Sequence, residues 1–320
     1  MIFPVAGIEV APWIPPVVAF VVSFFTSMGG VSGAFLLLPF QMSFLGYTNP
    51  SVSATNQLFN IVAIPSGVYR YCREGRMAWP LTWVIVIGTL PGVLLGALIR
   101  VNYLPDPRHF KLFVAGVLLY IGGRMVRDLL KRRPESGNAP DSEKAFRERV
   151  RSSRSMPRVQ EAGEQCDFPL LTTTRFDLKY VGYCFHGENF EVSFWSIFFL
   201  SLLVGIVGGV YGIGGGAIIA PFLVSIFRLP IYSIAGAALM GTFVTSVAGV
   251  AFYQAIAPFY PQMSVAPDWL LGFLFGLGGM AGMYLGARCQ KFVPAKHIKW
   301  MLAGVMMFTA LKYIVTSLGL

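Results

Sequence analysis

Eight apolar stretches run through this chain of 320 residues, at about 15–45, 51–72, 78–101, 108–130, 193–228, 231–257, 269–289 and 295–318. Seven of them hold no aspartate or glutamate, and the fourth holds only Asp128 at its trailing edge. A helix crossing the hydrocarbon core of a bilayer needs about 20 mostly apolar residues. Carboxylates at that depth are expensive. The pattern therefore predicts an all-α polytopic membrane protein. Composition agrees, with 55% hydrophobic and 12% charged residues against roughly 25% charged in a soluble domain. The same figures exclude an ordinary soluble enzyme, a disordered chain and, with four cysteines, a disulfide scaffold. The net charge of +10 fits cytoplasmic loop ends and anionic headgroups. No single-sign basic domain points to nucleic acid.

Charge also divides the chain. Residues 131–192 carry eleven basic and ten acidic side chains, which marks one aqueous insertion between a first membrane repeat, 1–130, and a second, 193–320. The insertion begins as a polar linker with a short amphipathic helix expected around Lys144 to Arg151. From Arg175 to Phe194, alternating aromatic and apolar residues around Gly187-Glu188-Asn189 predict a small hairpin. Cys166, Cys184 and His186 lack the spacing of a zinc motif, so no metal is expected. Met1 to Pro16 has no Lys or Arg, and so lacks the positive region of a secretory signal. The first apolar segment is expected to stay in the mature protein.

The two membrane parts repeat each other. Gly29-Gly30-Val31-Ser32-Gly33 precedes Leu36-Leu37-Leu38-Pro39-Phe40, as Gly208 to Gly216 precedes Ile218-Ile219-Ala220-Pro221-Phe222. Gly88, Gly92 and Gly96 recur as Gly278, Gly282 and Gly286, and Ala115-Gly116-Val117 as Ala303-Gly304-Val305. Such ladders let helices approach closely in lipid, and packing is their leading reading.

Basic residues set the expected orientation. Arg70, Arg73 and Arg76, the cluster Arg124 to Arg133, and Arg288 to Lys299 read as cytoplasmic. The loop Pro258 to Asp268, without Lys or Arg, reads as outside. Because that loop is the counterpart of 73–77, the repeats should be inverted. Inversion needs an odd number of crossings in each repeat. The first segments, 15–45 and 193–228, are too long for one span and glycine-broken in the middle, so each reads as a helical hairpin returning to its starting side, followed by three spanning helices. Both termini then lie outside with Arg100, Arg108 and Lys111, and the insertion is cytoplasmic.

Broken helices at membrane depth are tolerated inside protein or beside a cavity. Paired breaks can aim the positive amino ends of half helices at an anion. Half helices starting near Gly33 and Gly216 would do so from two sides; tight turns alone are the alternative. The residues expected to bind are Gly29, Gly30, Ser32 and Gly33 in the first break, and Tyr211, Gly212, Gly214, Gly215 and Gly216 in the second. To these are added Thr55, Asn56, Gln57, Thr242 and Ser246 from the segments that follow. Those neutral donors suit a weakly held oxyanion, or serve as interhelical hydrogen bonds. Without intramembrane Asp or Glu, hard cations find no ligands and an obligatory proton relay is not expected. No catalytic constellation and no cofactor is expected.

The glycine-rich break and proline of each repeat, Ala54-Thr55-Asn56, Gly241-Thr242, and Tyr71-Cys72-Arg73-Glu74-Gly75-Arg76-Met77-Ala78-Trp79 together resemble the sulfite exporter TauE/SafE family. The resemblance covers roughly 250 residues. It differs at Met28 to Gly33, which lacks a full Gly-x-Gly-Gly-Gly run, and at Asn56, where Ser is common. It implies transport of sulfite, sulfonates or related small anions, usually outward and without ATP hydrolysis. The expected partners are therefore a small anionic substrate and the lipid bilayer of a bacterial inner membrane. The oligomeric state stays open, a homodimer included. A carrier leads; an anion channel or an importer uses the same residues, and a membrane-embedded enzyme is disfavoured.

Overall fold

The computed structural model describes residues 1–28, 32–73, 77–130, 171–185, 188–227, 229, 231–289 and 295–318. Ahead of the insertion come strands β1 (Ile2–Phe3) and β2 (Ile8–Glu9) and helices α1 (Ile14–Met28), α2 (Ala34–Ser43), α3 (Ser51–Arg73), α4 (Trp79–Asn102) and α5 (Pro107–Leu130). After it come α6 (Phe194–Tyr211), α7 (Gly216–Ser225), α8 (Ile231–Ile256), α9 (Trp269–Cys289) and α10 (Ala295–Leu318). This is an all-α polytopic membrane protein. Five helices are long and apolar enough to cross a membrane by length and composition, within α4, α5, α6, α9 and Ile234–Phe259. At 23 residues α3 is long enough as well, but it carries Ser51, Ser53, Thr55, Asn56, Gln57 and Asn60, all buried in protein.

Both long first segments break at their glycines, giving α1 with α2 and α6 with α7. The first pair doubles back. Ala6 N–H donates to Asp268 Oδ2 at 3.2 Å, Asn49 Nδ2 to the Val5 carbonyl at 3.4 Å, and Ser51 N–H to the Ser264 carbonyl at 3.0 Å. The segments before α1 and after α2 therefore meet at one end of the bundle, together with the loop between α8 and α9. Tyr260 OH, donating to Asn102 Oδ1 at 2.9 Å, brings the end of α4 there. Near the end of α10, Tyr313 OH bonds the Pro39 carbonyl of α2 at 3.1 Å, so the described ends of the chain lie toward the same face.

Packing crosses the insertion. α1 lies along α9 and α6 along α4, while α5 packs on α10 and α3 on both α8 and α9. The glycine ladders make the first two contacts. A Cβ on Gly92 would stand 2.8 Å from Ile206 N, and one on Gly278 2.6 Å from Pro16 Cα. Gly96 faces the Ile206 carbonyl and Gly282 the Phe20 carbonyl just as closely. Backbone meets backbone because no side chain intervenes.

The expected hairpin is a three-stranded antiparallel sheet, β3 (Leu171–Phe176), β4 (Tyr180–Phe185) and β5 (Glu188–Ser193). The extra strand, β3, pairs Phe176 with Val181, so the alternation read as one arm begins another. Val181 and Tyr183 are buried, and the sheet contacts the beginning of α6, where Phe194 N–H bonds the Lys179 carbonyl at 3.2 Å. The expected helix at Lys144 to Arg151, Cys166 and His186 lie outside the described residues.

Candidate functional site

The two breaks meet on α3. At the second, α6 ends at Gly212 with φ +81°, its N–H and that of Ile213 closing on the Gly208 carbonyl at 2.9 and 3.0 Å. Gly214 follows at φ +76°. Both angles are left-handed, a region that costs any residue with a Cβ. Gly212 also lies against the α3 backbone, where a Cβ would sit 2.5 Å from Ser53 Cα.

Two asparagines one helical turn apart on α3 hold both breaks. Asn56 Nδ2 donates to the Ala34 carbonyl and to the Gly212 carbonyl, each at 3.0 Å, and its Oδ1 accepts from Gln41 Nε2 at 3.3 Å. Asn60 Nδ2 donates to the Ile213 carbonyl at 2.9 Å and to Ser246 Oγ at 3.4 Å; its Oδ1 accepts from Ser32 Oγ at 2.7 Å. Positions i and i+4 share a helix face, so one face of α3 joins the two breaks: Asn56 through its amide nitrogen, which donates to both, and Asn60 through its oxygen to the first and its nitrogen to the second.

Each half helix is capped by a hydroxyl. Ala34 N–H, at the start of α2, lies 3.4 Å from Ser32 Oγ, and Gly215 N–H, at the start of α7, donates to Thr245 Oγ1 at 3.1 Å. Tyr211 reaches from the second break to the first, its OH donating to the Phe35 carbonyl at 3.0 Å and its ring stacked on Phe35. The glycines admit close neighbours. A Cβ would sit 2.5 Å from Ser23 Oγ at Gly33, 2.9 Å from Ser246 Oγ at Gly214, 2.7 Å from Thr89 Cγ2 at Gly215, and 2.6 Å from Thr242 N at Gly216.

Of the residues expected from sequence, Ser32, Gly33, Asn56, Tyr211, Gly212, Gly214, Gly215, Gly216, Thr242 and Ser246 come together here. Gly29 and Gly30 lie outside the described residues. Gln57 points to α8 instead, its amide against Gly249, buried and with no hydrogen-bond partner for either amide atom among the described residues. Thr55 lies apart from the breaks. Its hydroxyl accepts from Asp268 N at 2.9 Å and bonds Tyr47 OH at 2.8 Å, toward the face with the chain ends. Asn60 and Thr245 also contact the breaks but are not among the expected residues; for Asn60 the signal is its spacing of four from Asn56. An apolar groove of about 470 Å³ between α5, α6 and α7, lined by residues such as Phe113, Val117, Tyr120 and Val207, holds none of the expected binding residues.

Every side chain among the described residues that is hydrogen-bonded at the breaks is neutral, so the arrangement offers donors and aligned peptide dipoles. Among the described residues, no group of three His, Cys, Asp or Glu able to hold a metal occurs. The family model of the sulfite exporter TauE/SafE family matches residues 16–313, which includes both breaks. The chain belongs to the sulfite exporter TauE/SafE family. A probable membrane transporter protein, YdhB of Bacillus subtilis (strain 168), is 27% identical over 115 residues, 36% of this chain and 44% of the relative. The chain thus matches less than half the length of that relative. No solved structure matches. Its family and its long apolar helices together make it a multi-pass membrane protein.

Proposed function

We propose that this protein is a secondary transporter that moves sulfite or a related small sulfur-containing anion, organosulfonates included, outward across a bacterial inner membrane. The anion is held between the tips of α2 and α7. The observation that carries this reading is the meeting of the two breaks at Asn56 and Asn60 of α3, with each half-helix amino end bonded by a neutral hydroxyl, Ser32 Oγ for α2 and Thr245 Oγ1 of α8 for α7. An oxyanion is a stronger acceptor than a hydroxyl, and the dipoles at both tips favour negative charge. It would displace those hydroxyls while remaining weakly enough bound to leave. An anion leaving a cell with a negative interior gains about 2.3 kcal/mol per charge per 100 mV, so export needs neither ATP nor a proton relay.

In this reading residues 1–130 and 193–320 are inverted repeats, 131–192 is a cytoplasmic insertion, and both chain ends face outside. The family named for sulfite export supports the substrate class, and the first hairpin's return toward the face of the Pro258 to Asp268 loop supports the orientation. The protein carries no enzymatic activity, metal or cofactor in its transport role. Purified protein in liposomes should take up sulfite, thiosulfate or short sulfonates with saturation and counterflow. Flux without saturation or counterflow would make it a channel, and no flux of any of these anions would refute the reading.

A further inference from the structure

Arg100, near the end of α4, has a wholly buried side chain. One terminal nitrogen donates to the Leu104 carbonyl, the other to the Thr48 carbonyl at 3.2 Å, and the guanidinium lies 3.7 Å over the Phe110 ring. Among the described residues its Nε has no partner, and no carboxylate lies within 4.0 Å. Asp268, the buried carboxylate at this end, is committed elsewhere, accepting from Ala6 N–H and Leu271 N–H.

A guanidinium stays protonated in proteins, and a buried charge held only by carbonyl oxygens and a ring is poorly compensated. Its flat fork of donors matches the edge of an oxyanion. Polar groups also connect it to the second break: Ser53 Oγ bonds the Val210 carbonyl at 3.1 Å, and Tyr253 OH, which interacts with both Ser53 and Arg100, bonds the Gly209 carbonyl at 3.4 Å.

We propose that Arg100 is a second anion-binding station, between the breaks and the face carrying the chain ends, which takes a small free oxyanion by exchanging the Thr48 and Leu104 carbonyls for the ligand's oxygens. The inference rests on the anion reading above. It also explains why a cation stands buried on this side, since the two loops it ties, 44–50 and 103–106, would part as the anion enters.

The test uses full-length protein with sulfite and sulfate as probes. In detergent, saturable thermal protection of the wild type by these anions should weaken at least tenfold in R100Q and only a few-fold in R100K, which keeps the charge but loses the fork. In liposomes, half-saturation measured from the face of the chain ends should rise about tenfold in R100Q and stay within twofold from the other face. A lowered melting temperature with both half-saturation values unchanged would make Arg100 a loop staple and overturn the proposal, as would protection equal in all three proteins. If R100Q fails to fold, weaker protection in R100K than in the wild type still supports the station, and equal protection overturns it. Protection lost in R100Q without any wild-type flux would leave this site standing while the transport reading fell.

Discussion

Replacing Asn60 by aspartate places a charge at the junction of the breaks at almost no change in volume. The carboxylate keeps the acceptor for Ser32 but loses the donors to the Ile213 carbonyl and Ser246 Oγ. Interhelical hydrogen bonds in membranes are worth about 0.6 kcal/mol each on average, and a buried carbonyl left unpaired costs about 1–3 kcal/mol. The fold, with roughly 5–15 kcal/mol in hand, survives. An anion that takes the place of the Ser32 hydroxyl at the α2 tip would stand roughly 5 Å from the new charge. At an effective dielectric near 20 their repulsion is about 3 kcal/mol, roughly a hundredfold loss of affinity. Burial raises the pKa of such a carboxyl, and the charged form exists above that raised value. Flux of a sulfonate, which stays ionised throughout, should therefore be nearly lost at about pH 8 and recover as the pH falls toward about 5. The assay is flux per folded protein in liposomes, with thermal unfolding as the control for damage. Asn60→Asp flux near wild type at about pH 8, or a loss that acid does not relieve, would refute the idea that an anion occupies the breaks.

Gly215→Leu should abolish flux while leaving the protein folded enough to purify, because its side chain must enter the space of Thr89 at the α7 tip; normal export would remove that tip from the site. Thr55→Ala should lower the melting temperature, with a cost near 1 kcal/mol for its lost hydrogen bonds, and leave half-saturation unchanged, since its partners are Tyr47 and Asp268. Thr245→Ala, which uncaps Gly215 N–H, should shift half-saturation several-fold in the same flux assay.

The breaks and the ladders were legible because both rest on backbone demands that only a few residues meet. Gly212 and Gly214 adopt left-handed angles, and Gly88 to Gly96 and Gly278 to Gly286 let one helix touch another; each leaves glycine as its mark in the chain. What periodicity does not carry is which face of α3 turns inward. Thr55 and Asn56 are neighbours in sequence but about 100° apart on the helix; one bonds Tyr47 and Asp268 at the end of the bundle that carries the chain ends, and the other bonds the breaks. The burial of Arg100 is hidden for a related reason. A charge at a helix end reads as a loop charge until the segments at Thr48 and Leu104, distant or just beyond in sequence, are seen folded over it. The strand β3 was missed because Leu171 to Phe176 has no hydrophobic alternation of its own.

The ladders also decide what can move. α1 touches α9 and α6 touches α4 through backbone, so each contact joins helices from opposite sides of the insertion. Two repeats rocking as separate bodies would have to tear both contacts, at which close packing is the main source of helix association in lipid. α3 and α8 also pack on one another, but their contact includes the Gln57 amide, unpaired among the described residues, against Gly249 and the Asn60 to Ser246 bond, polar contacts that can exchange partners cheaply. The moving boundary should therefore lie along α3 and α8, with α1–α9 and α4–α6 travelling as intact pairs. In a chain whose Cys72, Cys166, Cys184 and Cys289 are replaced by serine, a pair of cysteines at facing α4 and α6 positions outside the glycine ladder, joined by a disulfide, should leave flux within about twofold. Cysteines at Gln57 and Gly249 joined by a short cleavable reagent should stop flux until the link is cut. Arrest by the first link and not the second would show that the repeats themselves are the moving bodies and that the ladders slide.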